Sequence, residues 1–220
     1  MVKPRVAETE NGITDEFDVQ SYDLMQRSLR DRGWIETKQI IQEGINSGIA
    51  LEIGPGPGYL GLDWLKKTEG TRLKGLEISE AMIALAQRNS VEYGFPDRIE
   101  YIKGDAQRMP FDDNYFDAVF SNGSLHEWAH PYDILNEIAR VLKPRGKYYI
   151  SDLRRDINIF AKGFLWLMCQ PKNMRPGLIT SINAAYLATE IETMLAKTRI
   201  QGWHVKSNMI GIIITGQKLA

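Results

Sequence analysis

Apolar residues along the chain change their period repeatedly, and each change marks an element. Tyr22, Met25 and Leu29 recur at helical spacing, and Trp34, Ile41 and Ile45 continue a second amphipathic stretch that Gly44 and Gly48 help to end. Two helices are therefore predicted ahead of the first strand, which runs from Ile49 to Ile53. A helix over Tyr59 to Lys67 follows, then a strand over Arg72 to Ile78. The next helix, Glu80 to Tyr93, sets Met82, Leu85, Ala86 and Asn89 on one side, with Ser79 as its N-cap. Ile99 to Gly104 and Phe116 to Ser121 read as the third and fourth strands. Tyr132 to Leu142 is a helix with the stripe Leu135, Ile138, Ala139 and Leu142; Pro144 and Gly146 stop it before a fifth strand, Lys147 to Ser151.

Strands and helices alternating at short spacing imply right-handed crossovers and a parallel sheet covered on both faces, a doubly wound, Rossmann-like α/β fold. From Leu153 to Gly177 the rhythm breaks. Arg154 and Arg155 precede an apolar run, Ile157 to Met168, and then a loop holding two prolines; the whole is expected to lie as an insertion over the carboxyl end of the sheet. Leu187, Ile191, Met194 and Leu195 give a closing helix. Trp203 to Ser207 and Ile210 to Thr215 are strands too close for a crossover, so they pair antiparallel. The expected organisation is one domain over 1–220: a helical cap (1–48), a ligand-binding core (49–152), a lid or acceptor insertion (153–180), and the closing helix and strands (181–220).

Composition narrows the function. With 27 Lys plus Arg against 28 Asp plus Glu in 220 residues, the chain has no electrostatic footprint for nucleic acid, and small ligands are favoured. The opening stretch is polar and acidic, and no window reaches the roughly 18 apolar residues of a membrane span, so a cytoplasmic address and no stable membrane insertion are expected. Cys169 is the single cysteine, which excludes an internal disulfide; its apolar neighbours predict burial.

The chemistry centres on Ala50-Leu-Glu-Ile-Gly-Pro-Gly-Pro-Gly-Tyr59, an apolar strand running into three alternate glycines. Gly54, Gly56 and Gly58 allow positive φ and a close backbone approach to a ligand at the start of the following helix. The spacing is not the G-x-G-x-x-G of a dinucleotide site, and no Gly-Lys-Ser/Thr follows as in a phosphate-binding P-loop. Glu52 just before the loop suits a ligand carrying positive charge and no phosphate. Glu77 ends the second strand, 23 residues past Gly54, where a carboxylate can accept both hydroxyls of a ribose. Asp105 and the backbone of Ala106 follow the third strand, placed to read a purine edge.

Five segments in order, Leu51-Glu-Ile-Gly-Pro-Gly-Pro-Gly58, Gly75-Leu-Glu-Ile-Ser79, Gly104-Asp-Ala106, Phe116-Asp-Ala-Val-Phe-Ser121 and Arg140-Val-Leu-Lys-Pro-Arg-Gly146, resemble those of the class I S-adenosylmethionine-dependent methyltransferases of the small-molecule type. The resemblance covers about residues 49 to 152. It implies a seven-stranded sheet, mostly parallel with an antiparallel last strand, and S-adenosylmethionine as cofactor. It also implies that Glu52, Gly54, Gly56 and Gly58 hold the methionine part, Glu77 the ribose, Asp105 and Ala106 the adenine, with Ile78 among the cofactor-binding residues. Ser121 and Asn122 would border the cofactor, and Tyr22 could close over it or simply pack its helix.

Methyl transfer from a sulfonium is an in-line displacement that asks mainly for positioning. His126 is the candidate general base should the acceptor lose a proton, against a purely local packing role. Ser121-Asn-Gly-Ser124 differs from Asn-Pro-Pro-Tyr, which argues against adenine or glutamine amide nitrogens; no Pro-Cys exists for cytosine chemistry, and no metal is expected. Tyr22-Asp-Leu-Met25 and Gly33-Trp34 resemble part of the quinone-ring C-methyltransferase pattern, with Gln26 where Asn is usual and no His-Arg before the Trp. Trp128, Phe160, Phe164 and Trp166, near Arg154 and Arg155, suit a flat or greasy acceptor. Ile157 to Met168 could equally form core or a homodimer surface; its shortness and Lys162 favour lid or core over membrane contact. The competing readings are a non-catalytic cofactor-binding protein and, disfavoured by the loop spacing, a nicotinamide-dependent dehydrogenase.

Overall fold

In the computed structural model, residues 4–8 and 16–220 are described; part of the polar start, expected to be mobile, lies outside them. Two helices, α1 (Glu16–Asp31) and α2 (Thr37–Gln42), precede the alternating core: β1 (Ile49–Ile53), α3 (Tyr59–Lys67), β2 (Arg72–Glu77), α4 (Glu80–Glu92), β3 (Ile99–Lys103), β4 (Phe116–Asn122), α5 (Pro131–Val141) and β5 (Leu142–Leu153). Then come α6 (Ile159–Met168), α7 (Arg175–Ala184), α8 (Ala188–Leu195), β6 (His204–Ser207) and β7 (Gly211–Gln217). The sheet has seven strands in the order β3-β2-β1-β4-β5-β7-β6. β1 pairs in parallel with β2 and β4, while β7 is antiparallel to both β5 and β6.

Local chemistry fixes the helix starts. Ser79 Oγ accepts from the Met82 amide at 3.3 Å to cap α4, and Pro131 sits in the first turn of α5, where a missing N–H costs nothing. Alternation along the strands builds two cores. Leu51, Val119 and Ile150 face α5 and α8 with Ile138 and Leu195, and Ala50, Phe120 and Tyr149 face α2 and α3 with Ile40, Leu62 and Trp64. Trp64 Nε1 also donates to the Ile45 carbonyl at 2.8 Å, satisfying the one polar atom of the largest buried side chain.

Three elements depart from expectation. β5 starts at Leu142, directly after α5. Its pairing with β4 jumps from Phe116↔Leu142 to Ala118↔Lys147, and the skipped residues turn through Arg145 at φ 64°. Residues 175–184 form α7 and not a loop, because Pro176 lies in its first turn. The third concerns α6: of its ten residues only Ala161 is buried, so the core reading of this apolar run does not hold. Among the described residues no helix is long and apolar enough to cross a membrane.

Candidate functional site

The strand order reverses between β1 and β4, and the loops leaving the carboxyl ends of β1, β2, β3 and β4 meet there, the place where open α/β sheets bind ligands. They enclose a cavity of about 130 Å³ whose lining includes Tyr22, Gly54, Gly56, Glu77, Ile78, Asp105 and Ala106. Met82, Ser124, Glu127, Trp128 and Ile134 complete much of its wall.

The glycine loop is left-handed at all three positions, with φ of 65°, 52° and 84° at Gly54, Gly56 and Gly58. A Cβ on Gly54 would stand 2.9 Å from Ser124 Cβ, and one on Gly56 would stand 3.3 Å from the Tyr22 ring, so backbone lines the cavity where side chains would fill it. Gly58 lies behind that lining, as the N-cap of α3 packed against Tyr101.

Glu77 is buried at the cavity floor. One carboxylate oxygen accepts from the amides of Ile78 (2.9 Å) and Ser79 (3.0 Å), and the other from Gly56 (3.1 Å). Burial raises its pKa, and these three amides pull it back. The carboxylate thereby ties the glycine loop to the end of β2. Asp105 is exposed, and its Oδ1 accepts from the Gln107 amide at 2.8 Å, so it caps the turn after β3 while remaining in the lining.

Glu52, outside the lining, is 2% exposed, and its Oε2 has no hydrogen-bond partner among the described residues. Burial, reinforced by repulsion from Glu77 and opposed by the Gly61 amide, pushes its pKa up to about 8. The Tyr101 hydroxyl, another buried atom with no hydrogen-bond partner, is raised by burial and by the Glu52 charge. Both groups stand behind the cavity lining and not in it.

Ser121 and Asn122 also lie outside the lining. Ser121 Oγ donates to the Ile53 carbonyl (2.8 Å), Ser124 Oγ hydrogen-bonds to Ser121 Oγ (2.7 Å), and Trp128 Nε1 donates to Ser124 Oγ (3.1 Å). Only one proton direction satisfies this buried chain, and it anchors the Trp128 wall to the end of β1. The Asn122 amide donates to Ser151 Oγ at 2.9 Å. Ser124 was not singled out from sequence, and only the fold brings it under Gly54.

His126 is buried and absent from the lining. Asp152 accepts from its backbone amide at 2.7 Å and meets Nδ1 at 2.9 Å, while Glu8 lies 3.4 Å from Nε2. Burial works against its charge, but Asp152 and then Glu8 prevail and push the pKa up to about 10. The ring is thus an imidazolium clamped between carboxylates, unsuited to accept a proton. Glu127, next to it, does line the cavity. Packing around it and the charges of Glu8, Asp152 and Glu77 raise its pKa, against the pull of His126, while its side chain, 47% exposed, leaves solvent to screen the shift. A larger cleft, about 720 Å³, opens beyond Ala129 and includes Arg5, Tyr186 and Glu190. Of its charges, Arg5 is committed to the carbonyls of Ala184 and His126 and Glu190 to Arg155, and the cleft holds none of the motif residues.

A seven-stranded doubly wound sheet, a left-handed glycine loop and a buried acid at the next strand end define a nucleoside-binding α/β protein. Comparison with known proteins narrows this. The profile of the methyltransferase domain matches residues 51–150. The uncharacterized methyltransferase YdaC of Bacillus subtilis is 30% identical over 167 residues, covering 68% of this chain and 90% of YdaC. The ubiquinone/menaquinone biosynthesis C-methyltransferase UbiE of Chromobacterium violaceum is 31% identical over 153 residues, 69% of this chain and 61% of UbiE. A crystal structure of a SAM-dependent methyltransferase from Aquifex aeolicus superposes with a TM-score of 0.70 at 19% identity, over 94% of this chain and all of that one. The chain belongs to the class I S-adenosylmethionine-dependent methyltransferases.

Proposed function

We propose that the chain transfers a methyl group from S-adenosylmethionine to a small, apolar or aromatic acceptor. The observation that carries this reading is the pairing, in one cavity, of a side-chain-free glycine cradle with the buried Glu77 carboxylate. The cofactor supplies an activated sulfonium methyl when bound. The chain would supply position: the backbone at Gly54 and Gly56 for the methionine part, Glu77 for the ribose hydroxyls, and Asp105 and Ala106 for the adenine edge. Ile78, Met82, Trp128 and Ile134 give the wall an apolar part, beside the polar Gln107, Ser124 and Glu127, which favours a greasy acceptor. Where the acceptor must give up a proton, Glu127 is placed to take it, since it lines the cavity and His126 does not.

Quinone-ring C-methylation is the finer reading, supported by the similarity to UbiE. Gln26, which departs from that pattern, donates to the Tyr22 hydroxyl at 2.9 Å and so holds the ring over the loop.

One observation favours a second reading, a cofactor-binding protein without turnover. A cavity of about 130 Å³ falls short of the roughly 300 Å³ at which small-molecule sites begin, so with Tyr22 over Gly56 it offers no room for an acceptor beside the cofactor. Calorimetry with S-adenosylmethionine, S-adenosylhomocysteine and NAD, followed by labelled-methyl transfer to reduced quinones and to extracts fractionated by polarity, separates the readings. Binding of the first two ligands with transfer supports the enzyme, binding without transfer supports the binder, and binding of NAD alone overturns both.

A further inference from the structure

Ile159, Phe160, Phe164 and Leu167 fall on one side of α6, at the spacing of a single helical stripe, and that stripe faces solvent. They are 74%, 86%, 52% and 62% exposed, and Trp166 beside them is 45% exposed. Trp34, itself exposed, extends the patch, its ring centroid 6.0 Å from that of Phe164. A helix apolar on both sides belongs in an apolar surrounding, and here one side has none.

The rim says which surrounding. Arg32 lies over Trp34 (5.3 Å) and donates to the Met168 carbonyl, and Arg175 lies over Trp166 (3.9 Å) and donates to the Leu167 carbonyl. Lys162 sits within α6. From Ile157 to Thr189 the sequence carries Lys162, Lys172 and Arg175 and neither Asp nor Glu, in a chain whose net charge is -1. An isologous contact with a second copy would set this positive rim against itself. Phe and Trp inside a ring of Arg and Lys match the interface of an anionic bilayer, where rings enter the headgroup boundary and cations meet lipid phosphates.

We infer that the α6 face, with Trp34, docks the protein on anionic membrane surfaces. Ten helical residues span about 15 Å, half of the roughly 30 Å hydrocarbon core, so the helix lies on the membrane and does not cross it. α1, which carries Tyr22 over the cofactor cavity, touches this cap through the bond from Asn173 Nδ2 to Ser21 Oγ (2.7 Å). The inference goes beyond the methyl-transfer reading and does not need it.

The test is flotation of the full chain with vesicles of phosphatidylcholine alone and of phosphatidylcholine with phosphatidylglycerol in equal parts. The expected result is binding to the anionic vesicles, weakened by salt, and little to the neutral ones. Phe160→Glu combined with Phe164→Glu should lower the partition at least about tenfold, and Lys162→Glu should lower it less and flatten the salt dependence. Since both Phe side chains are mostly exposed, melting temperature and S-adenosylhomocysteine affinity should stay as in the parent, which separates loss of docking from misfolding and from failure of the cofactor reading. Equal binding to both vesicle types, no binding to either, or a dimer in sedimentation that the double variant dissolves would overturn the inference.

Discussion

Replacing Glu52 by Gln isolates the electrostatic cost of the site. The carboxyl is 2% exposed with one oxygen lacking a partner, and its pKa stands at about 8 against an ordinary 4.5. A raised acid pKa means that the folded state holds the proton more tightly than the unfolded one. Its contribution to stability is therefore complete below pH 4.5 and is lost as pH rises through about 8. At about 1.4 kcal/mol per unit, the 3.5 units between 4.5 and 8 set a ceiling of about 5 kcal/mol, and local relaxation would bring the effect to about 2–5 kcal/mol. Gln keeps the shape and cannot ionise. The assay is urea unfolding of both proteins without cofactor, at pH about 5 and about 8.5. His126, raised to about 10, also loses stabilising charge with rising pH, but it is common to both proteins and cancels in the double difference. The parent should lose about 2–5 kcal/mol more than Glu52→Gln between the two conditions. Parallel pH profiles would refute the claim that a buried, unpaired carboxyl opposes its own ionisation here.

Three further outcomes are expected. Gly56→Val forces a branched residue to φ 52° and sets its Cβ against Tyr22, so calorimetry should show no S-adenosylhomocysteine binding while far-ultraviolet circular dichroism stays unchanged. His126→Ala leaves Asp152 buried without its cation and should cost about 3–5 kcal/mol of stability, with cofactor affinity nearly intact; a lost transfer rate at unchanged stability would restore His126 as the base. Ser121→Ala removes the acceptor of the Ser124 hydroxyl and the donor to the Ile53 carbonyl, for about 1–3 kcal/mol and a changed near-ultraviolet signal from Trp128.

The alternating core was legible because periodicity and local stop signals agree there: Ser79 caps α4 as read, and the glycines of β1's loop take the left-handed backbone that their spacing required. α7 was misread because Pro176 was taken as a breaker, although proline in a first turn is compatible with a helix. The role of His126 depends on Asp152, 26 residues away in sequence, and on Glu8, 118 residues away; no local pattern announces such a clamp. Likewise Ser121 matches its motif, yet its hydroxyl is turned beneath the cavity by partners that only the sheet brings together. The α6 run is apolar on every side, so its sequence could not tell a filled core from an uncovered face.

Residues 5–8 bear on when the site comes together. Arg5 donates to the carbonyls of Ala184 and His126, its guanidinium lies 4.2 Å over the Tyr186 ring, the Val6 amide reaches the Asn183 carbonyl, and Glu8 faces His126. The Arg5 bonds join residues 121 and 179 positions apart, whereas the β1 pairings join residues 23 and 68 positions apart. Closing such long loops costs the most chain entropy, and the sheet must exist before the partners do. This strap therefore fastens late in folding and opens early in native-state fluctuation, so the Val6 amide, held by the Asn183 carbonyl, should exchange its hydrogen well before the amides of the strands.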